Sequence, residues 1–219
     1  VQIAGLTTAQ MAALESSDVR ALSTAAVAKL SSDQLNALTS DNVVALTSTQ
    51  VAALTSVQVS GLSTATLAAL ETADVRALST AVIAALNTDQ LGNLTSDQLG
   101  ALTTGQFAKL SSDQLSGLGT EDITAFGTAQ FATLGSSQVA GLTSTQMAAM
   151  ETADLRALST SVFKTLASDQ LNALTSDGIV ALTTAQVGVL TTEQISHMAT
   201  DDLSVMTTDA VRALSTQGL

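Results

Sequence analysis

The chain has no cysteine, proline, tryptophan or tyrosine, a single histidine, and only seven basic residues against 19 acidic ones. Each scarcity closes off a class of function. Without cysteine there are neither disulfides nor thiolate metal sites, and there is no thiol to misoxidise in an oxidising exterior. A net charge of −12 leaves no basic surface to displace counterions from phosphates, so nucleic acid is excluded as a partner, and an anionic membrane would repel the chain. No run of about 18 apolar residues occurs, so insertion across a bilayer is not expected. His197 stands alone and cannot build a metal or catalytic site. No His–Asp set activates any of the many Ser and Thr hydroxyls, and neither a DxDxDG-type calcium loop nor a Gly-rich phosphate loop is present. The chain is therefore expected not to be an enzyme and to carry no cofactor.

What remains is 46% hydrophobic and 12% charged, with most of the rest Ser, Thr, Gln and Ala. Bias of this kind marks a simple unit copied many times. Cut every eight residues from Leu6, the chain falls into register without a slip: LTTAQMAA from Leu6, LSSDQLNA from Leu30, LTSTQVAA from Leu46, LTSDQLGA from Leu94, LTTAQVGV from Leu182. There are 26 full octads and a partial one. Position 1 is Leu except at Phe126, Met150, Met198 and Met206. Position 3 is Ser or Thr from Thr8 to Thr216. Position 5 is most often Gln, position 6 is always large and apolar, and position 8 is mostly Ala or Gly.

The octad predicts an all-α solenoid of very short helices, one per repeat. One continuous helix fails, because eight residues leave about 80° of net rotation and the Leu stripe would wind round every face. A β-solenoid is the alternative, but positions 1 and 6 have opposite parity and cannot share a strand face without a bulge. A helix per octad makes positions 6 and 1 neighbours on one face. In Leu30-Ser31-Ser32-Asp33-Gln34-Leu35, Ser31 and Gln34 form a capping box and Leu30 and Leu35 a hydrophobic staple, while Asp33 favours the helix dipole. Position 3 is nevertheless the invariant one. Either it is the true cap or its hydroxyl bonds to a neighbouring turn. Helices of five to seven residues are unstable alone, so the array must hold itself by packing unit on unit, with small residues at position 8 permitting close approach.

A longer period overlies the octad. ESSDVRALST begins at Glu15, ETADVRALST at Glu71, ETADLRALST at Glu151 and TTDAVRALST at Thr207. Seven octads thus form a 56-residue super-repeat. The expected organisation is a single continuous solenoid over residues 1–219, with super-repeats 6–61, 62–117 and 142–197, a partial copy 198–219, and a three-octad insert at 118–141. In the insert position 2 is Gly119, Gly127 and Gly135, which removes the side-chain cap, and Phe126 and Phe131 lie between them. These five residues form a possible partner patch, set against the plainer reading of a duplication with wider packing. The pairs Glu15/Asp18, Glu71/Asp74 and Glu151/Asp154 recur with Arg20, Arg76 and Arg156, and local ion pairing accounts for them better than acid–base chemistry. Val1-Gln2-Ile3-Ala4-Gly5 matches positions 4 to 8 of a preceding octad, Leu219 is position 6 of an unfinished one, and no polar capping unit is visible. Self-association end to end, or continuation in a longer chain, is therefore expected.

The run A-L-T/S-x-x-Q-L/V-x-A resembles the octad repeat regions of large bacterial secreted or surface adhesin-like proteins, often labelled haem-utilisation/adhesion proteins. That resemblance implies an extracellular or cell-surface structural role, a stalk, a filament or an adhesin segment, and supplies no binding residues. The alternative is a binding module presenting regular Ser/Thr rows to ice, glycan or mineral.

Overall fold

In the computed structural model, residues 2–214 are described. They contain 26 α-helices of four to seven residues, a short 3-10 turn at Ile3–Gly5, and no strand. One helix falls in each octad, as the capping pattern predicts; the β-solenoid alternative is not adopted. Each helix starts at position 3, with position 2 as its N-cap in extended conformation, for example Ser23 at φ −72° and ψ 153°. Position 1 is extended as well, as at Leu22 with φ −63° and ψ 138°. Two extended residues therefore turn each corner, and no described residue has a positive φ. This is why the octad needs no obligatory glycine.

The cap is settled by the hydrogen bonds. The Thr47 hydroxyl accepts the Gln50 amide at 3.3 Å, while Gln50 Oε1 accepts the Thr47 amide at 2.7 Å. The same reciprocal box forms at Thr7, Ser31, Thr55, Asn87, Thr95, Thr103, Ser111, Thr143, Thr183 and Thr191. Position 2 is the cap, and position 3 has another task.

The described residues divide into two compact units, one up to Lys109 and one from Leu110. Inside each, a helix packs on the helix three octads away. In the first unit Ser48–Val51 packs on Thr72–Ala77, which packs on Ser96–Ala101. In the second Thr128–Phe131 packs on Thr152–Ala157, which packs on Ser176–Ala181. Three octads thus complete one turn in either unit. Residues 118–141 hold three octads and so make one whole turn within the second unit. A period of seven octads is two turns and one octad.

Positions 1 and 6 form the core. Val19, Val27, Val51, Leu91, Leu99, Phe107, Val139 and Phe163 at position 6 are all 0% exposed, and inner position-1 residues such as Leu30, Leu86 and Leu134 are 3% exposed. The core is uncovered at its extremes. Leu6, Leu14 and Leu22 are half-buried, while Leu203 and Val211 are exposed. Leu219, and the expectation of an unfinished octad there, lie outside the described residues.

Candidate functional surface between the turns

The apolar columns explain burial but not register; register comes from polar side chains that cross from one turn to the next. Position 5 is the main one. Its Gln is buried as deeply as the core: Gln50, Gln98 and Gln186 are 2% exposed. The carbonyl oxygen closes the capping box of its own helix, which aims the amide nitrogen at the turn beneath. Gln50 Nε2 donates to the carbonyls of Val19, Arg20 and Leu22 at 2.9, 3.3 and 2.7 Å. Gln98, Gln106 and Gln186 repeat the pattern on the equivalent three carbonyls of the turns beneath them. The Val19 carbonyl also accepts the Leu22 amide at 3.2 Å, but position-1 carbonyls such as that of Leu22 have no backbone donor among the described residues, and leaving one buried without a donor costs about 1–3 kcal/mol. One side chain thus starts its own helix and terminates another.

Position 3 points the other way. The Ser48 hydroxyl donates to Asp74 Oδ1 at 2.7 Å, Thr128 to Asp154 Oδ1 at 2.8 Å, and Ser16 to Asn42 Oδ1 at 2.9 Å. Ser32 and Ser136 donate to the Gln58 and Ser161 carbonyls at 3.0 Å. A small hydroxyl at position 3 also fits beneath a small residue at position 8. A Cβ on Gly61 would lie 2.4 Å from Ser32 Oγ, and one on Gly141 would lie 2.5 Å from Ser112 Cβ.

A third crossing link appears where position 5 lacks a long amide. Thr66 and Asp202 leave the amides of Ser63 and Ala199 without a box partner from their own helix. Asn36 and Asn172, from the turn beneath, supply it. Asn36 Oδ1 accepts the Ser63 amide at 2.8 Å while its Nδ2 donates to the Gly61 carbonyl at 2.9 Å. Asn172 treats Ala199 and His197 alike, at 3.1 and 2.8 Å.

The residues singled out by sequence take up structural places. Phe126 and Phe131 are buried, 3% and 1% exposed, and meet edge to face with centroids 6.3 Å apart. Their rings fill the core and present no face to a partner. Gly119, Gly127 and Gly135 are exposed N-caps without a cap side chain. Half of each box survives, since Asp122, Gln130 and Gln138 accept the three glycine amides at 2.9, 2.7 and 3.0 Å. The ion pairs expected at Arg20, Arg76 and Arg156 do not form among the described residues, where the one ion pair is Arg212–Asp209 at 3.2 Å. The reason is geometric: position 7 looks outward, while the carboxylates of Asp74 and Asp154 turn inward to a hydroxyl and that of Asp18 accepts the Glu15 amide of its own cap. Arg20 instead donates to the Ala45 carbonyl at 3.4 Å. His197 is exposed, with Nδ1 2.8 Å from the Glu193 carbonyl of its own helix. Among the described residues no group of three His, Cys, Asp or Glu side chains is placed to hold a metal ion, and no helix is long and apolar enough to cross a membrane.

Burial raises the carboxyls of Asp74, Asp154 and Asp202 above the ordinary value of 3.8. The Ser48 hydroxyl and the Glu71 backbone amide partly oppose the shift at Asp74, and the Thr128 hydroxyl that at Asp154; the charges of Glu71, Glu151 and Asp201 add to it.

The family model of the ALTTAQ repeat matches residues 11–48, 67–104, 96–126, 117–151 and 147–184, which together span most of the chain. No curated protein matches it.

Proposed function

The chain belongs to the ALTTAQ repeat family, and from that premise we propose that it is an extracellular structural module, a stalk or filament segment of a cell-surface scaffold whose working property is length. The observation that carries this reading is the target of the position-5 glutamine. It recognises backbone carbonyls of the turn beneath and no particular side chain, so any turn can seat on any other. Turns can then be added or removed as wholes, and 118–141 has the size of one such addition. The same chemistry would seat further octads, or a second copy, on the uncovered core at Leu203 and Val211. The acidic surface would keep neighbouring stalks apart. The absence of cysteine and the resemblance to secreted octad proteins support an exterior location. The role is mechanical and not catalytic.

The hydroxyl-ladder alternative is less well supported. Many position-2 hydroxyls accept helix amides and several position-3 hydroxyls donate to the next turn, so the rows are partly consumed by the fold.

Deletion and duplication of residues 118–141 test the reading. The expected outcome is two folded variants whose maximum dimensions, by small-angle X-ray scattering, fall and rise by one equal increment. Variants that lose helicity, or dimensions that do not follow turn number, would remove the case for a spacer.

A further inference from the structure

Position 5 has two chemistries, and one of them is short of a hydrogen. Asn42 shows what the site asks for when a short side chain occupies it. Its Oδ1 accepts the Ser16 hydroxyl at 2.9 Å, and its Nδ2 donates to the Leu14 carbonyl at 2.8 Å. Gln50 donates to the carbonyl in that same register, Leu22. Asp74 satisfies the first half in the same way, with Oδ1 on the Ser48 hydroxyl at 2.7 Å. Its Oδ2 therefore stands where Asn42 has its amide nitrogen, and the carbonyl in that register is Leu46. Oδ2 is buried without a partner, the whole side chain is 1% exposed, and no other group donates to the Leu46 carbonyl. An ionised carboxylate would set two acceptors against each other in the interior, which is costly.

We propose that Asp74, when protonated, donates its Oδ2–H to the Leu46 carbonyl, making it an acid-dependent clamp between successive turns. One proton is taken from solvent per clamp, and nothing else is exchanged. Asp202 has the same orphaned Oδ2 and the Leu174 carbonyl in the same register.

The surroundings favour the neutral form. For Asp74 the charged groups on its own helix and cap are Glu71 and Arg76, Ser48–Val51 beneath carries none, and Ser96–Ala101 above carries Asp97. For Asp154 they are Glu151 and Arg156, none on Thr128–Phe131, and Asp177 on Ser176–Ala181. For Asp202 they are Asp201 and, beneath it, Asp177. Apart from the outward-facing Arg76 and Arg156, every neighbour is negative, and neither arginine forms an ion pair. The raised carboxyls of all three agree with this geometry. The sign comes from linkage. A folded-state value above 3.8 means the native chain holds the proton more tightly than the unfolded one. The stabilisation is full below about 3.8 and is lost as pH rises through the folded value. Acidification toward pH ~4 therefore tightens the turns at Asp74, the reverse of the usual loss from carboxylates.

The test uses the full chain with aspartate carboxyl carbons followed by NMR across pH, together with Asp74→Asn. The expected result is that the Asp74 carboxyl keeps its proton well above the ordinary 3.8. Asp74→Asn, which carries the donor permanently, should raise Tm by about 3 °C at neutral pH and by much less near pH ~4, where the acid already donates. An Asp74 carboxyl that ionises at the ordinary value overturns the proposal. So does an asparagine variant whose Tm at neutral pH is unchanged or lower.

Discussion

The turn at 46–69 and the turn at 118–141 reach the same fold with different helix starts. In the first, Thr47 and Thr55 close complete capping boxes and Ser63 is completed by Asn36 from the turn beneath. In the second all three caps are glycine and only the return half of each box remains. Core burial does not differ: Leu54, Leu62 and Leu118 are 5–6% exposed and Phe126 and Leu134 are 3%. The reach to the turn beneath also persists, through Gln50 in one and Gln138, on the Leu110 carbonyl at 2.7 Å, in the other. The lesson is that starting a helix and seating a turn are separate jobs. The first tolerates loss of its side chain, while the second is retained.

The harshest challenge to this separation is a charge at position 1, which is apolar and buried in both turns. Leu94→Asp should cost about 4 kcal/mol, since an unpaired charge would be buried, whereas Ala52→Asp, at an exposed position 7, should stay within about 0.5 kcal/mol. Denaturant melts of the two variants check this, and equal losses would void the assignment of faces. Next comes the seating bond. Gln50→Ala leaves the Thr47 amide and the Arg20 and Leu22 carbonyls short of partners and should cost about 2–3 kcal/mol. Asn36→Ala, which removes the substitute bracket for Ser63, should cost about 1–2 kcal/mol by the same measurement. A loss at Asn36 but none at Gln50 would reverse the ranking of the two links.

The smallest expected effect sharpens the comparison from the other side. Gly119→Ser, Gly127→Thr and Gly135→Thr together should restore the caps and add about 1 kcal/mol, a few tenths from each. There is room, because the nearest atoms to an added Cβ are the box side chains themselves at 3.4, 3.8 and 3.7 Å. Thermal melting decides it. A fall in Tm would mean that glycine is required at these caps.

Much of this molecule is local and was open to reading from the residues alone. Eight-residue spacing, a hydroxyl at position 2 with Gln three positions on, and large apolar residues at positions 1 and 6 dictate one short helix per octad and its buried face. Those signals act within a single octad, through caps and staples whose geometry is the same wherever the octad sits. The number of octads per turn is of another kind. Every octad carries the same local pattern, so nothing in it marks its partner three octads away; only packing on the third neighbour does. The invariance of position 3 was visible as a pattern but not as a cause, because its acceptor lies in the next turn. The second role of Gln was hidden because the capping box already accounts for its presence. Phe126 and Phe131 read as a patch because aromatic residues are scarce here, and only the tertiary structure turned both rings into the core. Local chemistry determined the unit; the burial of each unit against another decided the stack.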